Sequence, residues 1–307
     1  MKRQSGVAAV TALLIVAVAA SAAAVMLSRQ SAMLDQSMLV TARAQADLYA
    51  QAGIDWARGV LDEDQRASSV DALTEGWAQP IAALPVERAV VAGDIADEQG
   101  KLNLNDLLSG TTRSEADMRT FARLLSGLGL APELAEAALD WIDADADLAG
   151  PGGAEDSYYL GLPRPYRAAN APMTQVEELY RVRGFDAATV AKLRPYISAL
   201  PARTALNVNT ASDRVLAAVL DVPLDKARQL VADRDRKPFA TVQELSERAR
   251  KAGIESIGAN ALDVKSEFFS VRVRVAQDDV QLAVDALLRR PSAPANGTSI
   301  IWRRPRY

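Results

Sequence analysis

The sequence predicts an α+β fold: one long N-terminal helix laid on a small antiparallel sheet, with a large block of helices inserted between the strands. Three observations lead there. Val7 to Leu27 contains no charged residue, and helical apolar spacing continues beyond it. Two segments, near residues 86–106 and 269–286, alternate with the period of strands. Between them, roughly 150 residues change to helical spacing, the pattern of an insertion into a sheet domain.

The N-terminal helix comes first. Met1 to Gly6 carries Lys2 and Arg3 and precedes the apolar run. About 21 helical residues at ~1.5 Å each give ~30 Å, enough to cross a bilayer's hydrocarbon core. The basic residues keep the leader in the cytoplasm and place the remainder of the chain across the membrane, a single-pass arrangement. A secretory signal shares the basic start and the apolar stretch, but this run is longer than the usual one and no polar or turn-forming boundary closes it. Instead Leu34, Met38, Ala42, Ala46, Tyr49, Ala52, Trp56 and Val60 recur at helical steps, and no proline occurs before Pro80. One helix from Val7 to about Asp62 is expected.

Composition narrows the function. The 307 residues carry a net charge of -4 with no histidine and no cysteine. Disulfides, thiolate metal sites, Ser-His-Asp and Cys-His catalysis and the usual zinc ligands are thereby excluded. Interspersed charges of both signs offer no broad basic field for nucleic acid. The expectation is a protein that is not an enzyme.

The next elements come in order. Residues 63–84, with Gly76 and Pro80, read as a loop with a short helix. Val86 to Ile95 reads as a strand, with Gly100 to Asp106 as its hairpin partner across the turn Asp97-Glu98-Gln99-Gly100. Ser114 and Asp117 form a capping pair before Met118, Phe121, Leu124 and Leu125, and Pro132 opens a second helix through Trp141. Thr174 and Glu177 cap another before Leu179 and Val182. Further helices are expected at about 187–194, 212–221, 224–235 and 241–251. Phe269, Val271, Val273 and Val275 then alternate with polar residues, turn at Gln277-Asp278-Asp279, and return through Val280, Leu282, Val284 and Ala286. Beyond Arg290 a flexible tail is expected; it contains the sequon Asn296-Gly297-Thr298, which is given little weight.

One stretch could hold chemistry. Asp143, Asp145 and Asp147 are spaced by two, and Gly150-Pro151-Gly152-Gly153 turns the chain back to Glu155 and Asp156. Carboxylates alternating along a loop repel unless a cation sits among them. Calcium takes six to eight oxygens in irregular loops, while magnesium wants fewer and keeps water. Without His or Cys, a hard ion is favoured. The spacing is not that of an EF-hand, because no glycine follows Asp147 and the closing acid comes late. The competing reading is a solvated helix C-terminus, electrostatically poor for acids. A hydrolase centre would also need an open coordination position and a path for a nucleophile, and the sequence supplies neither. Tyr158, Tyr159, Pro163, Pro165 and Tyr166 come next, and read as packing for the loop ahead of a partner surface.

Residues 206–234, "LNVNTASDRVLAAVLDVPLDKARQLVADR", resemble the helix-hairpin-helix unit of DNA-binding competence proteins. Those units place glycines in the hairpin so that amides reach phosphates. Here the turn is Asp221-Val222-Pro223-Leu224, with an acid and no glycine, so the segment reads as a packing module. A membrane-anchored DNA-uptake protein is the alternative function.

The leader and the apolar helix together resemble those of type IV pilins and of the pseudopilins of type II secretion. The resemblance implies cleavage by a prepilin peptidase between Gly6 and Val7, followed by N-methylation. Pilin-like subunits carry a glutamate at the fifth mature position, where this chain has Thr11; its absence marks the minor pseudopilin K branch. "IADEQGKLNLNDLL" and "DWIDADADLAGPGGAEDSYYL" followed by "RPYRAANAPMTQVEELYRV" are similar to that family's hairpin and signature. A pilin-like fold is thereby implied: a leader at 1–6, a transmembrane part at 7–27, a periplasmic helix and first strands at 28–112, an inserted helical domain at 113–255, a closing hairpin at 256–290 and a tail at 291–307. Structural calcium is implied in the helical domain, with Asp143, Asp145 and Glu155 as first ligands and Asp147 and Asp156 as second. So is a noncatalytic role at the tip of a periplasmic pseudopilus, starting its assembly from the bacterial inner membrane. The implied partners are minor pseudopilins I and J, then minor pseudopilin H and major pseudopilin G, with no nucleic acid.

Overall fold

The computed structural model describes residues 5–254, 261–292 and 297–306. Helix α1 runs from Ser5 to Ala67 without interruption, some five residues further than expected. Its first half is exposed along its whole length, as a segment made for lipid would be. Its second half buries Ala42, Ala46, Ala50, Ile54, Ala57 and Leu61, one stripe at steps of three and four. Four of the six are alanines, which lets the helix lie close to the sheet. Trp56, expected on this stripe, is 52% exposed beside it.

The sheet has five antiparallel strands in the order β1-β2-β9-β10-β11: β1 (Ile81–Val86), β2 (Ala89–Asp97), β9 (Phe268–Gln277), β10 (Val280–Arg289) and β11 (Ser299–Arg306). Its face toward α1 carries Ile95, Phe269, Val271, Val273, Val275, Val284, Ala286 and Leu288. The β9–β10 hairpin turns at Asp278, whose φ is +49°.

Two sequence expectations are corrected here. The hairpin partner of β2 is β1, not Gly100 to Asp106. The stretch to Leu84 reads as a loop through Gly76 and Pro80, but it holds most of β1, an edge strand that tolerates Pro85, a residue with no N–H to donate. Leu102–Asn103 forms the short strand β3 among the helices, where Asn103 Oδ1 accepts from Leu200 N at 2.9 Å and its amide donates to Ala202 O at 3.1 Å. The expected flexible tail is the edge strand β11, registered with Trp302 opposite Leu287 and Arg306 opposite Ala283. Side chains anchor it on two bodies, α1 and the helical block. Thr298 Oγ1 donates to Asp62 Oδ1 of α1 at 2.6 Å, Arg303 pairs with Asp47 at 2.5 Å, and Arg304 reaches Gln175 in the helical block. Asn296 of the sequon, residues 1–4 of the leader, and the expected boundary at 255/256 lie outside the described residues.

The helical block contains α2 (Glu115–Gly127), α3 (Leu134–Ile142), α4 (Asp156–Tyr159), α5 (Ala187–Leu193), α6 (Asp213–Leu220), α7 (Leu224–Arg236) and α8 (Val242–Lys251), with short strand pairs among them. β3 pairs in parallel with β6 (Ile197–Ser198), β4 (Leu108–Ser109) antiparallel with β5 (Thr112–Arg113), and β7 (Leu206–Asn207) in parallel with β8 (Leu262–Asp263). Two cores fill it, one around Phe121, Leu139, Trp141 and Tyr159, the other around Val208, Leu216, Phe239 and Leu245. The expected helix after Thr174 is a single 3-10 stretch, Val176–Arg181, and Glu178 rather than Glu177 accepts from the Thr174 hydroxyl at 2.8 Å. The α6–α7 hairpin is turned into the block: Asp221, left-handed at φ +56°, pairs with Arg123 at 3.0 Å, and Arg123 Nε donates to Ala218 O at 2.7 Å.

Candidate metal centre

Helix α3 delivers the first acids. Ala137, Leu139, Trp141 and Ile142 drive its end into the core, so Asp140 and Asp143 enter apolar surroundings with it. Asp140 is fully buried, and its Oδ1 accepts from Ala149 N at 2.9 Å. The glycine turn returns the chain onto the same helix, and contact decides its composition. A Cβ on Gly152 would stand 2.4 Å from Glu133 O, and one on Gly153 would stand 2.2 Å from Asp140 Oδ2. Gly152 N donates to Glu136 Oε2 at 2.7 Å, fixing the turn. Glu155 is thereby brought back beside Asp143.

Asp143, Asp145 and Glu155 each place one carboxylate oxygen within 4.8 Å of the others. Asp143 is 9% and Glu155 3% exposed. Among the described residues, Asp143 Oδ1, both oxygens of Glu155 and Asp140 Oδ2 have no hydrogen-bond partner. Buried acceptors without donors are costly. Burial, then Asp145 and Asp140, pushes Asp143 up to about 6. Burial, then Asp140, Asp143, Asp145 and Asp156, pushes Glu155 up to about 7. Burial likewise raises Asp140. Convergent hard oxygens with no donors fit a hard cation, which would satisfy them and remove their repulsion.

Of the five acids singled out in the sequence, the structure brings these three together. Asp147 is exposed and contributes its backbone N–H, which donates to Asp145 Oδ1 at 2.9 Å. Asp156 is turned elsewhere, accepting from Ala168 N at 3.0 Å with Arg167 at 3.7 Å. Sequence reasoning passed over Asp140 as a ligand. Its signal was a carboxylate flanked by Leu139, Trp141 and Ile142 on an otherwise apolar turn. The aromatic residues pack the loop: Tyr159 meets Trp141 edge-on at 5.3 Å and stacks on Tyr166 at 5.3 Å, whereas Pro163 and Pro165 are exposed.

A second group of acids, Asp64, Asp71 and Glu75, is equally tight but already has its cation. Arg290 donates to Asp64 Oδ2 at 3.0 Å and also pairs with Asp71. Glu75 accepts from Ala72 N and from Trp77 Nε1. Gly6 and Val7, the expected processing site, fall in the first turn of α1.

Comparison with known proteins agrees with this architecture. Two profiles described as "Type II secretion system (T2SS), protein K" match residues 100–202 and 206–265. Type II secretion system protein K of Pseudomonas aeruginosa is 33% identical over 298 residues, covering 94% of this chain and 89% of that protein. Its counterpart in Aeromonas hydrophila is 32% identical, covering 94% of each. A chain in the crystal structure of the GspK-GspI-GspJ complex from enterotoxigenic Escherichia coli superposes with a TM-score of 0.76 at 25% identity, covering 89% of this chain and 99% of that one. A membrane-length helix on a small sheet, a helical block carrying an acidic loop, and relatives matched over nearly their full length lead to one conclusion: the chain belongs to the type II secretion system protein K family, a minor pseudopilin of that apparatus.

Proposed function

We propose that the protein caps the outer end of a pseudopilus in the periplasm, joined there to minor pseudopilins I and J, with H and the major pseudopilin G following below. A single observation carries this reading: the helical block is attached at the end of α1 remote from the membrane. Arg290 ties Asp64, near the last turn of α1, to Asp71, and the crossing into the block starts beside them. Roughly 57 helical residues, or ~85 Å, separate that point from Val7. A bulky unit there leaves no place for a further subunit to stack. Thr11 supports the same reading. Its hydroxyl donates within its own helix, to Val7 O and Ala8 O, both at 3.0 Å. It therefore brings no carboxylate into lipid that would need a neighbour ahead. The role is structural, and the partners are inferred from the complex in which the similar chain crystallised.

Calcium completes the reading. Asp143, Asp145 and Glu155 would hold it with backbone carbonyls, and it would supply the charge that pins the loop to α3. In bacteria the apolar segment anchors the chain in the inner membrane until assembly. The test is the N-terminal mass of the membrane-bound protein from cells with and without a prepilin peptidase. A chain that starts at Val7 only when the peptidase is present, and copurifies with I and J, is expected. A chain cut near Ala24, or one that begins at Met1 in both cells, overturns the tip assignment.

A further inference from the structure

The joint between the sheet and the helical block is built around a buried acid without a cation of its own. Asp97 ends β2 and is 6% exposed. Its Oδ2 accepts from the Thr210 hydroxyl at 2.5 Å, the Ser266 hydroxyl at 2.7 Å and the Asn207 amide at 2.9 Å, while Oδ1 accepts from Gln99 N at 2.8 Å. All four donors are neutral. Asn207 and Thr210 lie on the segment that leads into α6, so this carboxylate is where the two units grip each other. The fit is close: a Cβ on Gly100 would stand 2.6 Å from Thr210 Oγ1. Gln99 reinforces the grip, donating to Ala205 O at 3.0 Å and accepting from Glu267 N at 2.7 Å.

Charge around the joint is unbalanced. α1 contributes Asp64, the following loop Asp71 and Glu75, and β2 Asp97. Among the described residues the cation facing them is Arg290, which serves Asp64 and Asp71. Segment 206–210 brings no titratable group. Beside Ser266, Lys265 is exposed and Glu267 pairs with Arg289 at 3.2 Å. Glu98, next to Asp97, pairs with Lys101 at 2.7 Å. Of these four carboxylates, two thus pair with the one guanidinium and Asp97 is left with neutral donors. Ser266 and Thr210 are hydroxyls, able either to donate to a carboxylate or to accept from a carboxylic acid.

We propose that the joint is a proton-operated clamp: as the medium acidifies, Asp97 takes a proton from solvent, one of the two hydroxyls reverses to accept it, and the sheet holds the helical block more firmly. Burial, supported by Asp71 and opposed by the hydrogen bonds, pushes Asp97 up to about 6. An opened joint returns the acid to its ordinary range, so the closed joint binds the extra proton and acid favours closure. In a compartment whose pH follows the surroundings, the rigidity of the block on its stem would follow too.

The test is amide hydrogen exchange on the detergent-solubilised full chain, calcium in constant excess, with rates corrected for intrinsic pH dependence. With Asp97 titrating near 6, protection at Gln99, Asn207 and Ser266 should rise about four-fold between about pH 7.5 and about pH 5.5. Asp97→Asn, whose amide imitates the protonated acid, should remove that share of the rise. Parallel profiles in the two proteins, or protection that falls in acid, overturn the proposal. Thr210→Val gives a second handle should Asp97→Asn fail to fold. It takes one donor from the anion and must move the midpoint upward, and an unmoved midpoint overturns the clamp equally.

Discussion

Two clusters of carboxylates in this molecule answer the same physical problem differently. At the joint, Asp64 and Asp71 face Arg290, and Asp97 is surrounded by neutral donors. In the loop after α3, Asp143, Asp145 and Glu155 converge, and among the described residues Asp143 Oδ1 and both oxygens of Glu155 accept no hydrogen bond. Asp143 and Glu155, like Asp71 and Asp97, are buried against apolar cores, so water does little for them. The joint carries its counter-charge in the sequence. Among the described residues no cation pairs with the three loop acids, and if calcium takes that place, as proposed, their order would depend on what the solution contains.

The contrast can be broken from the joint side first. Arg290→Met should cost about 3–5 kcal/mol, because it leaves Asp71 buried beside Asp64 without compensation. Chemical denaturation of the variant checks this, and added calcium should not restore the loss. The loop side behaves in the opposite way. Stripping calcium from the purified protein should lower its stability by about 3 kcal/mol relative to a hundred-fold excess over the dissociation constant. The double substitution Asp143→Asn with Glu155→Gln should abolish that response to metal; equal melting with chelator and with calcium would sink the structural site.

The smallest effect sharpens the comparison. Burial, then Glu75, raises Asp64 to about 6, with Arg290 opposing. A raised carboxyl contributes stability that is full below its unfolded value of 3.8 and is lost as pH rises through about 6. Lowering the pH from about 7 to about 5 should therefore stabilise the protein by about 1 kcal/mol through this group. Asp64→Asn should lose that increment, as read from denaturation midpoints at the two pH values.

How far the sequence could be read depended on whether a signal was local. The long helix, the β9–β10 hairpin and the α6–α7 pair announce themselves through periodicity within one segment. Asp143, Asp145 and Glu155 were found because the acids and the glycine turn lie in a single stretch. What escaped needed a distant partner. β11 looks like a tail until Arg303 meets Asp47 and Arg304 meets Gln175. β1 looks like a loop because it follows Pro80 and contains Pro85, and a proline's effect depends on which side of the strand is paired. Arg290 carries no motif, the motifs around Asp97 and Asn207 do not announce their pairing, and the meaning of all three comes from contacts spanning more than a hundred residues. Trp56 sits one helical step off the buried stripe, a displacement that apolar spacing alone does not resolve.

The two outer strands of the sheet bear on how such a molecule behaves in a crowd. β1 carries Pro85 and β11 carries Pro305, and β11 adds Arg303, Arg304 and Arg306 along the other margin. A proline breaks the row of donors that an incoming strand would need, and a run of like charges repels a second copy of itself. The sheet is therefore finished at both margins and cannot grow sideways by recruiting its neighbours. A subunit meant for a filament is in this way kept from becoming a fibre.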